Sequence, residues 1–221
     1  LNLRVGRQAL NWGESLFIQG INQISPLDVP AFRRPGTEVK EALLPVGMVY
    51  ANWGIANGPS IEGFYQFQWQ PTNIDPCGTY FSSVDAAIGP NAASSGCNGA
   101  VVSAPDSVGW PKNLYVPLTD TKTPKNGGQG GVAMRYFVDA LDTEFGAYAI
   151  NIHSRTPVLD GFRGTVPFQA QAPLGTVVKA RWDYPEDIQV YALSASTTLA
   201  GWAVGSELSY TPKFPTQINP G

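Results

Sequence analysis

The sequence is poor in charged residues and contains no long apolar run. Charged residues make up 14 % of the chain and apolar residues 43 %, whereas soluble domains carry about 25 % charged residues. No stretch reaches the roughly 18 uninterrupted apolar residues that a transmembrane helix needs. No transmembrane helix is therefore predicted within this sequence. Low charge without apolar runs is typical of a β-barrel, whose outward apolar residues alternate with polar inward ones.

Catalytic and nucleic-acid-binding patterns are also missing. The single histidine, His153, precedes Ser154, but neighbouring residues on a strand point to opposite faces and form no Ser–His pair. There is no Gly-x-Ser-x-Gly motif. The glycines at 127–128 and 130–131 lack the lysine and the following helix of a phosphate-binding loop. A net charge of −3 gives no basic footprint for nucleic acid. We predict no enzyme, no cofactor and no nucleic-acid partner.

Seven segments with a two-residue side-chain period are present, and the connections between them alternate between long and short. In a transmembrane barrel, successive strands cross the bilayer in opposite directions, so turns on one side can be short and loops on the other long. The sequence therefore predicts an all-β, antiparallel up-and-down meander that is part of a transmembrane β-barrel with its long loops on one side. The predicted strands are 1–8, 46–56, 59–70, 131–140, 144–153, 187–198 and 202–211.

The polarity of the strand faces favours the same interpretation. Lipid requires an apolar outer face, whereas a barrel interior tolerates polar groups. We expect Glu62, Gln66, Arg135 and Glu207 to point inward. The side chains expected to point outward are Tyr65, Phe67, Trp69, Tyr136, Tyr148, Ile150 and Tyr210. The alternative is a soluble antiparallel sandwich whose polar face lies in water and whose aromatic residues form an ordinary core.

The tight turns have recognisable sequences. Asn57 and Gly58 lie between two alternating runs, and this pair is a strong hairpin signal because a type I′ turn needs positive φ at both central positions. Gly201 can supply positive φ to the last hairpin.

The sequence begins inside a predicted strand, and seven strands leave a barrel open. We therefore expect it to be a single fragment, 1–221, of a longer exported barrel.

Residues 71–127 form the longest connection, which we predict to be an extracellular loop. They are rich in Gly, Pro, Ser, Asn and Thr and contain Cys77 and Cys97. Export into an oxidising compartment favours a disulfide between these cysteines, which would stabilise the loop by about 3 kcal/mol. Two free thiols are the alternative. A metal site would need more ligands than this stretch offers, so none is predicted.

Residues 9–45 combine apolar runs with paired charges, which is unusual for a loop in water. We predict that this segment folds into the lumen as a hatch or constriction, with Arg33, Arg34 or Lys40 paired to Glu62, Asp139 or Glu207, because apolar groups need burial and buried charges need partners. A surface loop with a short helix is the alternative. The candidate lumen and gate residues are Arg4, Glu14, Arg33, Arg34, Lys40, Glu62, Arg135, Asp139 and Glu207.

Several stretches resemble a known family. They are Arg4-Val5-Gly6-Arg7-Gln8, Trp12-Gly13-Glu14-Ser15, Pro35-Gly36, Lys40-Glu41, Leu43-Leu44-Pro45, Tyr184-Pro185-Glu186-Asp187-Ile188 and residues 205–215. They look like the Gram-negative outer-membrane proteins grouped as domain of unknown function 1302, and they bracket nearly the whole chain. The resemblance implies a bacterial outer-membrane location and a distant similarity to long-chain fatty acid transporters. No family motif is found in residues 71–127.

Two functions are consistent with this pattern. The first is a porin-like outer-membrane barrel, in contact with membrane lipid, that takes up or passes hydrophobic or amphipathic small molecules. The second is a surface structural or binding protein with a plugged barrel. An outer-membrane hydrolase, completed by a distant Asp or Ser, is the least favoured alternative.

Overall fold

A computed structural model describes residues 1–13, 20–56, 58–82, 88–91, 97–101, 115–163 and 178–216. The chain divides into two compact units. The sheet unit comprises Leu1–Asn73, Pro124–Arg155 and Glu186–Phe214, and the loop unit comprises Ile74–Thr123, Thr156–Pro185 and Pro215–Gly221. Within the described residues, no helix has the length and apolar character to span a membrane.

The sheet unit contains seven antiparallel strands whose order in space follows their order in the chain. The predicted all-β meander is therefore confirmed, and the strand ends lie within a few residues of those expected from the sequence. In spatial order the strands are β1 (Asn2–Gln8), β2 (Val46–Gly54), β3 (Ser60–Gln66), β6 (Gln129–Val138), β7 (Thr143–Ile152), β10 (Ile188–Leu199) and β11 (Trp202–Tyr210).

Short connections join the strands at one end of this sheet. In the last hairpin Leu199 pairs with Trp202, and the two turn residues between them, Ala200 and Gly201, both have positive φ, as a type I′ turn requires. Between β6 and β7, a 3-10 turn at Asp139–Leu141 leads to Asp142 in the left-handed region. Asn57 of the first predicted turn lies outside the described residues.

The loop unit contains two strand pairs that the sequence did not reveal. β4 (Gly99–Val101) pairs with β5 (Tyr115–Pro117), and β8 (Val158–Arg163) pairs with β9 (Val178–Asp183). Cys77 and Cys97 are bonded, with their Cα atoms 6.5 Å apart. The predicted disulfide is therefore confirmed, with a Cα separation in the range that such a bond allows.

One face of the seven-stranded sheet is apolar and exposed. We call it the exposed face. It runs from Leu3 and Val5 on the first strand to the last strand, where Trp202 is 77 % exposed and Leu208 72 % exposed. Its other large members are Trp53, Ile61, Tyr65, Val132, Met134, Tyr136, Phe145, Tyr191, Leu193, Leu199, Val204 and Tyr210. The prediction that Tyr65, Tyr136 and Tyr210 lie on an apolar outer face is confirmed.

The opposite face, which we call the covered face, carries the core. The described part of segment 9–45, residues 9–13 and 20–45, packs against it, so that Trp12, Ile21 and Ile24 are buried with the strand residues. The strand members of this core are Val46, Met48, Tyr50, Phe64, Ala133, Tyr148, Ile150, Ile152, Ile188, Val190 and Ala192. In the described part of the segment, three short 3-10 turns occupy Ile21–Gln23, Val29–Arg33 and Val39–Ala42.

The outward assignment of three residues was wrong. Tyr148 and Ile150 are buried on the covered face, because Tyr148 lies opposite Ala133 in the β6–β7 register and shares its face. Trp69 lies beyond the end of β3, half-buried, and its indole Nε1 donates to the carbonyl oxygen of Ser154 over 3.1 Å.

Candidate functional site

A row of polar side chains crosses the covered face, with one member from each of the seven strands. We call it the polar row. Because side chains alternate between faces along a strand, the strand register places every second residue on the covered face beside its neighbours. From the first strand to the last, the members are Arg4, Tyr50, Glu62, Arg135, Tyr148, Ser194 and Glu207.

Glu62 is the centre of the polar row and is only 6 % exposed. Its Oε2 accepts hydrogen bonds from the Trp12 indole at 2.8 Å and from the Tyr50 hydroxyl at 2.9 Å. Its Oε1 faces the Nη1 of Arg135 at 3.3 Å. The carboxylate therefore binds residues of β2, β6 and segment 9–45 at the same time. These bonds offset much of the cost of its burial.

Arg135 carries the contacts further across the sheet. Its Nε donates to the Tyr148 hydroxyl over 3.3 Å, and its Nη2 donates to the Trp12 carbonyl oxygen over 3.4 Å. The Tyr148 hydroxyl lies 3.1 Å from Ser194 Oγ. At the β1 edge, the Arg4 guanidinium lies over the Tyr50 ring, 5.3 Å from its centroid. Trp12 is therefore fixed both by its indole and by its backbone.

Glu207 at the β11 end fixes a second point of segment 9–45. Its Oε1 accepts the backbone N–H of Ile21 over 2.9 Å. This contact depends on Gly20, because a Cβ at that position would overlap Glu207 Oε1, whereas a Cβ at Gly13 would make a tight contact of 3.0 Å with Glu207 Oε2. Because neither glycine has a side chain, the Glu207 carboxylate can approach the backbone of the segment.

A second polar cluster lies at the end of the covered face where the long connections begin. Arg155, just after β7, is buried, and its Nη2 donates to the Ile24 carbonyl oxygen over 3.0 Å and to the Gln66 side-chain oxygen. Its Nη1 donates to the Gln70 carbonyl oxygen over 3.3 Å. Burial lowers the pKa of Arg155 to about 10, so the guanidinium is still charged at neutral pH.

His153, next to this cluster, has a structural role. Its Nε2 lies 2.9 Å from the Gly127 carbonyl oxygen, and its Nδ1 accepts the backbone N–H of Asp187 over 3.1 Å. These partners define a neutral imidazole protonated at Nε2. Both ring nitrogens are thus occupied by backbone groups, and the fully buried ring is not positioned as a general base.

The Asp187 side chain forms an exposed ion pair beside this histidine. Lys125 Nζ lies 3.2 Å from Asp187 Oδ2 and 3.5 Å from Glu186 Oε2. Hydrogen bonds from Asn151 and Lys125 hold the pKa of the Asp187 carboxyl below its usual value. The same bond to Asp187 raises the pKa of Lys125. In the part of the chain that is described, no group of three or more His, Cys, Asp or Glu residues could hold a metal ion.

The candidate gate residues from the sequence fall into three groups. Arg4, Glu62, Arg135 and Glu207 come together in the polar row. Arg33 and Arg34 are exposed, as is Asp139 in its 3-10 turn. Glu14 and the side chain of Lys40 lie outside the described residues. Glu62 is paired with Arg135 of the adjacent strand rather than with Arg33 or Arg34, because Arg135 faces it from the neighbouring register position.

Sequence reasoning missed several members of the site. Trp12 contributes an indole donor that no spacing rule signals. Tyr148 was assigned to the wrong face, and Arg155 lies outside any predicted strand. Ser194 could have been found, because the β10–β11 turn places it opposite Glu207.

These features define the class of protein: an all-β antiparallel sheet with an apolar exposed face and a covered face that carries both the apolar core and a row of polar side chains. The chain matches the family model described as Protein of unknown function (DUF1302) over residues 1–221, and it belongs to that family. No curated protein and no solved structure matches the chain.

Proposed function

We propose that this chain forms part of the wall of a bacterial outer-membrane β-barrel that takes up or passes hydrophobic or amphipathic small molecules. The observation that carries the proposal is that the sheet exposes large apolar side chains on one face and buries polar side chains on the other. Large apolar side chains cover the exposed face, whereas Glu62, Gln66 and Gln129 are buried on the other. Contiguous apolar surface of this extent is rare on soluble monomers, and lipid is the solvent that matches it.

The covered face supports a pathway that is closed at rest. Its polar row offers acceptors and donors to a polar head group, and aromatic and aliphatic side chains such as Phe64 and Ile150 surround the row. Segment 9–45 occupies this surface through the contacts of Trp12 with Glu62 and Arg135. The segment would therefore act as the constriction that a solute must displace.

The same packing favours a second candidate, a plugged barrel that serves as a surface structural or binding protein. Glu62, Arg135 and Glu207 all bond segment 9–45, and the disulfide of the loop unit holds part of a long loop in one shape. In this reading the segment never moves and the loop unit contacts the partner.

Uptake by lipid vesicles distinguishes the two candidates. The complete protein would be reconstituted into vesicles that contain a dye whose fluorescence reports arrival of a membrane-impermeant amphiphile. Protein-dependent uptake, absent from empty vesicles and from vesicles with heat-denatured protein, is expected for a pathway. Inserted, folded protein that gives no uptake of any amphiphile or small polar solute would favour the plugged barrel.

A further inference from the structure

Arg155 is a buried cation that forms no ion pair with any of the residues that the structure describes. Its hydrogen-bond acceptors are the Ile24 and Gln70 carbonyl oxygens and the Gln66 amide oxygen, all of them neutral. Its Nε is buried and has no hydrogen-bond partner among the described residues. Buried charges in proteins are normally paired. The half-buried Arg135 follows that rule through Glu62, so Arg155 needs a separate explanation.

The edge of the guanidinium that carries Nε and Nη2 is one of the two edges through which arginine binds carboxylates. Arg181 of the loop unit provides an example within the same chain. Its Nε and Nη2 both donate to Asp160 Oδ2, over 3.1 and 2.8 Å. In Arg155 the corresponding edge has a free Nε, and its Nη2 is bonded to Gln66 and Ile24. A carboxylate would satisfy this edge better than two neutral oxygens do, because it can accept from Nε and Nη2 together and also supplies an opposite charge.

The position of Arg155 matches a role in binding the solute. It lies a few residues after β7, which ends at Ile152, at the end of the sheet where the long connections begin. Its Nη2 contacts segment 9–45 at the Ile24 carbonyl oxygen. Ile24, whose carbonyl oxygen it contacts, and Ile152 of β7 belong to the apolar core of the covered face, beside the buried polar side chains of Gln66 and His153. An anionic group at Arg155 would thus be joined to an apolar tail packed on that core.

We propose that Arg155 binds the carboxylate of an anionic amphiphile through its Nε–Nη2 edge, displacing the Gln66 oxygen and the Ile24 carbonyl oxygen. This inference rests on the proposed function, since it assigns the substrate class of the same pathway. Displacement of Ile24 removes one of the contacts that hold segment 9–45 on the covered face. A ligand shifts a conformational equilibrium only through its different affinity for the two states, and here the carboxylate competes directly with the closed contact.

The test compares binding of decanoate and decanol, which share a tail and differ in the head group. Isothermal titration would use the complete protein in a non-ionic detergent at neutral pH. Hydrogen bonds to charged groups contribute about 1.5–3 kcal/mol, so decanoate is expected to bind roughly ten- to hundredfold more tightly than decanol. Equal affinities would overturn the proposal.

Three variants locate the effect. Arg155→Gln should remove the preference for decanoate, whereas Arg34→Gln, which removes the same charge from an exposed position of segment 9–45, should keep it. Gln66→Glu would give Arg155 an internal carboxylate and should also remove the preference, even if Arg155→Gln fails to fold. A preference retained in folded Arg155→Gln or Gln66→Glu protein would overturn the assignment.

Two further measurements separate this inference from other outcomes. Acetate at the same concentration should not compete with decanoate, and full competition would indicate a simple anion site instead of an amphiphile site. Vesicle uptake tests the proposed function independently. Uptake without a head-group preference in binding would overturn only the role of Arg155. A preference for decanoate that depends on Arg155, without uptake, would overturn the pathway and leave the site in place.

Discussion

At the scale of single residues, Glu62 holds the covered face together because three different donors converge on it. Trp12 belongs to segment 9–45, and Tyr50 and Arg135 belong to the strands on either side of β3. A buried carboxylate satisfied in this way is costly to disturb, since loss of its charge removes the ion-pair partner of Arg135.

The first prediction concerns this carboxylate. Glu62→Gln keeps the size of the side chain but removes the charge and replaces one acceptor oxygen by a donor. We expect the free energy of unfolding to fall by about 1–3 kcal/mol, measured by urea denaturation of the complete protein in lipid vesicles. The exposed Glu38 gives a matched control, because Glu38→Gln should change the free energy by less than about 0.5 kcal/mol. Equal effects of the two changes would contradict the central role of Glu62.

The second prediction tests the close approach of Glu207 to Gly20. In Gly20→Ala the new Cβ overlaps Glu207 Oε1, so the carboxylate must move away from the Ile21 N–H. Because Glu207 Oε1 ends a flexible side chain that can move, the expected loss is that of its hydrogen bond to the Ile21 N–H, about 1.5–3 kcal/mol. Gly54→Ala is the control, because nothing lies within 4 Å of a Cβ at that position. Unfolding curves that coincide for Gly20→Ala and Gly54→Ala would contradict this contact.

The third prediction is a pH dependence at Asp187. A carboxyl group whose pKa is lower in the folded than in the unfolded state stabilises the fold above the unfolded pKa, and this contribution is lost as the pH falls through the folded value. Asp187→Asn should therefore lower the Tm at neutral pH, with a difference from the wild type that shrinks below about pH 4. Asn also tolerates the positive φ of 56° at this position.

A partner variant checks the origin of the Asp187 effect. Lys125→Gln removes the cation that lies 3.2 Å from Asp187 Oδ2, and it should remove part of the same pH-dependent difference in Tm. Both side chains are well exposed, so salt should weaken the effect. A Tm difference for Asp187→Asn that is constant across the acidic range would contradict the ion pair.

At the scale of elements, a single register error explains the main mistake in the sequence-based faces. The strands predicted at 131–140 and 144–153 imply a three-residue connection, which would place Arg135 opposite Ala149. In the structure four residues connect β6 and β7, so Val138 pairs with Thr143 and Arg135 with Gly146. An odd change in register moves every side chain of a strand to the other face, and this placed Tyr148 and Ile150 outside.

The clear two-residue period made the seven long strands predictable, and the same signal failed in the long connections. β4 and β5 have three residues each, too few for a period to be recognised. β8 is longer, but apolar residues do not alternate along Val158–Arg163. β9 does alternate, with Val178, Ala180 and Trp182 between charged residues, so this strand was predictable and was missed. The disulfide was predictable because the chain has two cysteines, whereas the position of Arg155 depends on loop packing that the sequence does not encode locally.

The fourth prediction compares two leucines on the exposed face of β10. Leu193 lies in the middle of the strand and Leu199 at its end, and both are exposed. In a bilayer, Leu193→Arg should lower the free energy of unfolding by about 2–4 kcal/mol, whereas Leu199→Arg should lower it by about 0–1 kcal/mol. The measurement is urea titration in vesicles. In a water-exposed sheet both changes would stay within about 0.5 kcal/mol, and that result would contradict the membrane assignment.

At the scale of the whole molecule, the sheet has one exposed apolar face and one face that segment 9–45 covers. In the proposed function the exposed face would meet lipid, and segment 9–45 would close against the polar row. The sequence predicted that the two faces differ, because charges and apolar residues alternate along the strands. It did not predict which charges would meet, since Glu62 and Arg135 are 73 residues apart.

The last prediction is that removal of segment 9–45 opens the pathway. Gln8 pairs with Val46, so the ends of the segment are adjacent and a two-residue turn can close β1 and β2 into a hairpin. Replacing residues 9–45 by Asn-Gly should therefore retain the sheet, as checked by circular dichroism in vesicles. It should also increase the rate of vesicle swelling in sugars that the wild type excludes. Trp12→Ala, which removes the indole donor to Glu62 and one packed ring, should produce a smaller increase. Unchanged permeability with the strands still folded would mean that the segment is not the constriction.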